Sequence, residues 1–95
     1  MYYTYILYSD SLDKYYVGYT SDINSRLDHH NRAASRYTKR GIPWKLMYYE
    51  VYSSKHDAIK REQEIKKMKS RKYIEQLITK QNPFQRNKIK KQQTK

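Results

Sequence analysis

Residues 2–20 read YYTYILYSDSLDKYYVGYT, and this stretch decides the fold. Residues 2–8 are β-branched and aromatic, the composition of a strand. Ser9 to Lys14 is a polar turn, and Tyr15 to Thr20 is a second strand-like run, so the pair predicts a hairpin. Side chains alternate along a strand. Tyr3, Tyr5 and Leu7 therefore share one face, as do Tyr16 and Gly18. A register that pairs Tyr8 with Tyr15 sets Tyr5 opposite Gly18 and diagonal to Tyr16, with all three on one face. Gly18 then leaves an open patch above Tyr5, where a backbone or ligand can approach. Packing tyrosines and a glycine bulge account for the same residues, so the hairpin by itself assigns no chemistry.

The signals downstream of the hairpin are helical and strand-like in turn. Ser21 or Asp22 can cap a helix from Ile23 to about Asn31. Arg32 to Ile42 reads as a basic loop, and Trp44 to Tyr52 (WKLMYYEVY) as a third strand. Ser54 and Asp57 form a weak capping box for a helix from Lys55 to about Lys69. Ser70 starts a last helix with Ile74, Leu77 and Ile78 on one face, stopped by Asn82-Pro83. The order is β-β-α-β-α-α. A hairpin with segregated helices predicts an α+β domain with a small antiparallel sheet. The domain is expected over residues 1–84, with residues 85–95 (QRNKIKKQQTK) as a mobile basic tail, too poor in apolar residues to fold alone.

Helical geometry sorts the polar residues. At about 100° per residue, with Arg26 as zero, Ile23 falls at about +60° and Leu27 at about +100°. His30 falls at about +40°, so Arg26 and His30 lie one turn apart at the border of the buried face. There they can bind a phosphate and assist proton transfer, or simply form a solvated helix edge. In the next helix, with Glu62 as zero, Ala58 lies at about −40°, Ile59 at about +60° and Ile65 at about −60°. Glu62 therefore sits amid the apolar arc, while Glu64 faces the other way. An inward carboxylate needs compensation, either by a hard cation such as Mg²⁺ or by a lysine or arginine partner.

Composition narrows the function class. The net charge is +12, and it is unevenly placed. Residues 1–53 hold seven basic and five acidic side chains, whereas residues 54–95 hold fourteen and four. An excess of this kind points to a polyanion, with the C-terminal half as its backbone-binding face. No stretch is apolar enough for a membrane span or signal segment, so no membrane partner and a cytoplasmic address are expected. There is no cysteine, no cluster with zinc spacing, no Gly-rich phosphate loop and no nucleophile elbow.

The chain resembles the GIY-YIG nucleases, in particular the short stand-alone bacterial proteins of that superfamily. Tyr3-Thr4-Tyr5 stands where the first signature stands and Tyr16-Val17-Gly18 where the second stands. Arg26 follows Gly18 by eight residues, His30 follows Arg26 by four, and Glu62 occupies the metal-binding glutamate position. Asn82 before Pro83 is similar to the late asparagine. The first signature departs from the family by losing its Gly and Ile, keeping Tyr5. The match covers roughly residues 2–84.

The resemblance implies a three-stranded antiparallel sheet flanked by helices, with the site on one face of the sheet. It also implies metal-dependent endonuclease chemistry on DNA; structure-specific substrates and a link to repair or recombination are compatible with it, while the sequence does not separate DNA from RNA or duplex from branched substrates. Tyr5 then receives a proton from water, Tyr16 orients water or phosphate, and Arg26 stabilises charge on the phosphate. His30 assists proton transfer, Glu62 holds Mg²⁺ or Mn²⁺, and Asn82 supports the phosphate or Glu62. Nearby positive charge is expected to favour the ionised form of Tyr5. The alternative is a non-catalytic DNA- or RNA-binding module with the same fold.

Overall fold

The computed structural model describes residues 1–32 and 39–81. Asn82, the Asn82-Pro83 helix stop and the tail expected at 85–95 lie outside the described residues. Strands β1 (Tyr2–Ser9) and β2 (Lys14–Thr20) form the hairpin, followed by α1 (Ile23–Asn31), β3 (Trp44–Tyr52), α2 (Lys55–Met68) and α3 (Arg71–Gln81). A short 3₁₀ turn at Lys39–Gly41 precedes β3. The fold is α+β, with one antiparallel sheet in the order β2-β1-β3. Among the described residues, no helix is long and apolar enough to cross a membrane.

Pairing follows the side-chain pattern. Tyr8 pairs with Tyr15 and Tyr5 with Gly18, while on the other flank Tyr5 pairs with Tyr49. The β1–β3 ladder shifts between Ile6 and Leu7, which pair with Tyr48 and Leu46 and leave Met47 as the extra residue. The middle strand thus carries two cores on opposite faces. Ile6, Val17 and Tyr48 pack against Ile65 of α2 and Ile78 of α3, whereas Tyr5, Leu7 and Trp44 pack with Leu27 of α1. Five positions of β1 are buried, including Thr4, whose hydroxyl donates to the Ala58 carbonyl of α2 at 2.8 Å.

Local chemistry sets the helix ends. The Asp22 carboxylate accepts from the Ser25 amide, Ser54 Oγ from the Asp57 amide, and Ser70 Oγ from the Tyr73 amide. At the other end of α2, Lys69 adopts a left-handed conformation with φ 48°. Asn31, the last residue of α1, holds β3 in a two-way bond. Its amide donates to the Trp44 carbonyl at 3.1 Å, and its oxygen accepts from the Trp44 amide at 2.6 Å.

One polar network ties α2 to the sheet. Glu50 on β3 accepts from Arg61 Nε at 2.9 Å and from the hydroxyls of Tyr48 and Tyr52. Burial pushes the Glu50 carboxyl up, but Arg61 and the two tyrosines outweigh it and hold it below the usual 4.5. The stability this group contributes is therefore present above about pH 4.5 and is lost as pH falls through its lower folded value. The Arg61 and Glu50 side chains are 21% and 17% exposed, so breaking the pair falls short of the penalty for a fully buried one. Arg61→Met is expected to lower the unfolding free energy at neutral pH by about 2 kcal/mol. In denaturant titrations that difference shrinks below pH 4.5. A difference that stays constant into acid would show that the ion pair is not its source.

Candidate active site

A cleft of about 450 Å³ opens where β1, β2, α1 and α2 meet. Tyr5, Tyr16, Arg26 and Glu62 line it together. Each is delivered by its own element: Tyr5 by the middle strand, Tyr16 by the edge strand, Arg26 by the first turn of α1, and Glu62 by α2. The resemblance places the site on one face of the sheet, and the cleft differs. Tyr2 and Tyr19, on the opposite strand faces from Tyr5 and Gly18, also line it, and α2 belongs to the other core. The cleft therefore wraps round the β2 edge.

Gly18 is the hinge point of this geometry, though it leaves no open patch. A Cβ at residue 18 would lie 2.6 Å from the Tyr5 hydroxyl and 2.8 Å from Tyr5 Cζ. The Tyr5 ring itself occupies the space the missing side chain frees, and Tyr5 is only 2% exposed. From there its hydroxyl meets His30 Nε2 at 3.3 Å.

His30 is not at a solvated border. It is 3% exposed, under Tyr5, Tyr16 and Trp44, with ring centroids 6.3, 4.7 and 6.3 Å away. The helical wheel places it toward the apolar stripe, but depth comes from Trp44, which arrives from β3. His30 Nδ1 is buried without a hydrogen-bond partner among the described residues. A bare lone pair is less costly there than an orphaned N–H, which favours the tautomer with the proton on Nε2, donating to Tyr5.

Burial also sets the protonation of this pair. It pushes the Tyr5 phenol well above its ordinary 10, reinforced by Tyr16 and Glu62, while Arg26 pulls the other way and is outweighed. The expectation that positive charge favours ionised Tyr5 is thus reversed by desolvation. His30 is held below its ordinary 6.5, first by burial, then by Arg26 and His29. It is neutral at neutral pH.

The chain has relatives among known proteins. The GIY-YIG catalytic domain matches residues 1–74. The chain belongs to the GIY-YIG family, which is of nuclease type. It is similar to the UPF0213 protein of Staphylococcus aureus strain Mu3, at 48% identity over 52 residues. That match covers 54% of this chain and 63% of the staphylococcal protein, and the relative from strain N315 matches to the same extent. The solution structure of the UPF0213 protein BH0048 from Bacillus halodurans superposes with a TM-score of 0.53 at 33% identity. The superposition covers 83% of this chain and 84% of that one.

Glu62 of this GIY-YIG domain faces inward and Glu64 outward, with side chains 15% and 52% exposed. Lys66, one turn on, donates to Glu62 at 2.6 Å. Among the described residues no three His, Cys, Asp or Glu side chains cluster to hold a metal ion. A lone carboxylate in an open, polar cleft nevertheless suits Mg²⁺ or Mn²⁺, which keep several waters and take further oxygens from phosphate. Lys55 also lines the cleft. Its signal is present in the sequence: Lys55, Glu62 and Lys66 fall within about 40° on the helical wheel.

Two consequences are measurable. Gly18→Ala forces the Tyr5 ring off its seat, an overpacking change expected to cost about 1–3 kcal/mol. The same change admits water to His30, so its NMR titration midpoint rises toward 6.5 from a lower wild-type value. A Gly18→Ala variant with wild-type stability and an unmoved His30 midpoint would contradict the packing described. His30 also ties stability to pH. Its folded pKa is below the unfolded one, so its contribution is present above about pH 6.5 and is lost as pH falls through the folded value.

Proposed function

We propose that the chain is a metal-dependent endonuclease that hydrolyses phosphodiester bonds in DNA. The observation that carries this is the convergence of Tyr5, Tyr16, Arg26 and Glu62 on one cleft, with neutral His30 buried behind Tyr5. Glu62 would hold Mg²⁺ or Mn²⁺, which when bound polarises the phosphate and stabilises the leaving oxygen.

Arg26 and Lys55 supply positive charge to the cleft from α1 and α2. They draw the phosphate in, and Arg26 stabilises its charge in the transition state. Tyr16 orients the attacking water or the scissile phosphate beside Tyr5. The water oxygen bonds to phosphorus as the bridging P–O bond breaks. Its proton passes to the Tyr5 oxygen, and the leaving oxygen takes a proton from solvent. Tyr5 can receive that proton only as a phenolate, and burial makes the phenolate scarce. His30 Nε2–H, donating to the Tyr5 oxygen, stabilises the negative charge there without itself becoming charged. Asn82, by its family position, supports the phosphate or Glu62.

The test compares two glutamates. Glu62→Gln keeps the side chain's size but removes the charge that holds a cation. It is expected to abolish Mg²⁺-dependent cleavage of single-stranded, duplex and branched DNA, and to leave binding intact. Glu64→Gln, two residues on and facing away, carries the same charge change and is expected to cut normally. Equal cleavage by both variants would remove Glu62 from the mechanism. Binding without any cleavage by the wild type, with Mg²⁺ or Mn²⁺, would replace the enzyme by a nucleic-acid-binding module. Tyr5→Phe is expected to slow cleavage by about 10²–10⁴-fold.

A further inference from the structure

A second concavity, of about 530 Å³, lies beside the cleft between the hairpin turn and the α2–α3 junction. Tyr16 lines both, and Lys66 on its wall is the partner of Glu62, so the two spaces adjoin. Four cations line it: Lys14, Lys66, Lys69 and Arg71. Two are already engaged. Lys66 is paired with Glu62, and Arg71 with Asp13 at 2.6 Å and Glu75 at 3.1 Å. Lys14 and Lys69 are exposed, and neither forms an ion pair among the described residues.

Lys69 is the unusual one. Its φ of 48° and ψ of 41° form the left-handed cap of α2, where glycine is the common residue because a Cβ is strained there. The helix C-terminus does not need its charge, since Lys66 and Lys67 already occupy the last turn. A solubilising lysine has many unstrained positions on this surface. The charge thus stands at a strained position that lines a groove. The other non-glycine residue with positive φ among the described residues, Asp13 at 53°, is explained by its side chain, which accepts from both Tyr8 and Arg71.

The groove also has an apolar floor, made by Val17, Ile65 and Ile74. A duplex presents phosphates on a broad convex surface and cannot place its bases in a hollow of this size. A single strand can, because its bases are free to turn inward while its phosphates follow the cationic rim. We propose that this groove binds a single-stranded nucleic-acid segment continuous with the strand in the cleft, with Lys14 and Lys69 on its phosphates. What happens in the cleft rests on the nuclease reading, whereas binding in the groove does not.

The experiment measures fluorescence anisotropy of labelled oligothymidylate, oligouridylate and a blunt duplex as a function of salt, on the full chain without added metal. The double variant Lys14→Gln, Lys69→Gly is compared with Lys60→Gln, Lys67→Gln, which removes two exposed α2 lysines lining neither space. Groove binding predicts a loss of single-strand affinity of at least about fivefold in the first pair alone. It also predicts a log–log salt slope shallower by about 1.4, at about 0.7 per phosphate contact in a single strand. Lys69→Gly by itself is expected to raise the melting temperature or leave it unchanged while weakening single-strand binding, a combination that general destabilisation cannot produce. Equal effects of the two double variants overturn the proposal, as does a wild type that binds duplex but neither single strand. Loss of single-strand binding without cleavage by any protein would keep the groove and remove the nuclease. Glu62-dependent cleavage with single-strand binding indifferent to Lys14 and Lys69 would do the reverse.

Discussion

The Tyr5 ring lies where a side chain on residue 18 would have to be, and the rest of the cleft is arranged around that contact. β1 is paired on both sides, so Tyr5 cannot move with its backbone. Its ring crosses the edge strand at the one β2 position that has no side chain, and its hydroxyl is delivered to His30. His30 is in turn roofed by Trp44, whose indole lies over Gly41, where a Cβ would fall 2.3 Å from the ring. The Asn31 amide then fixes Trp44 to the helix that carries His30. The chain has two glycines, and both seat an aromatic ring of this one assembly.

Much of this was legible in the sequence, for identifiable reasons. Strand alternation placed Tyr5 against Gly18, and the observed register pairs them. Helical periodicity turned Glu62 inward and Glu64 outward, because angle on a helix depends only on spacing. Depth is different: it depends on what arrives from elsewhere in the fold. The wheel set His30 beside the apolar stripe, but its burial comes from Trp44, fourteen residues on. The strand pattern exposed a gap at Gly18, but not that Tyr5 fills it. Glu50 read as one polar residue in WKLMYYEVY, whereas its partners Tyr48, Tyr52 and Arg61 come together only when α2 packs on β3. Side-chain conformation and long-range packing are what a one-dimensional pattern lacks.

The same distinction governs the electrostatics. Counting cations near Tyr5 finds Arg26 and favours the phenolate, an effect that Glu62 opposes. Burial acts on every charged form whatever its neighbours; here it outweighs Arg26 at Tyr5 and acts together with Arg26 and His29 at His30. The two groups are therefore held neutral side by side, one with its proton retained and the other without an added one. A cation entering at Glu62 and a phosphate at Arg26 would alter the field at Tyr5 more than at a solvated phenol, because little water remains to screen it. The burial that suppresses ionisation in the resting protein is also what makes the pair responsive to charge in the cleft.

This bears on whether the domain cuts or only binds. Attraction to phosphate requires exposed cations, and Arg26, Lys55, Lys14 and Lys69 supply them without any buried polar group. Burying His30, whose Nδ1 has no partner among the described residues, opposes folding. An apolar residue under Trp44 would avoid that penalty and leave the surface charge unchanged. The imidazole gives the Tyr5 oxygen a fixed partner in place of water, a constraint that backbone binding does not need and proton transfer does. The internal polar pair, more than the excess of lysine, is what supports hydrolysis over simple binding.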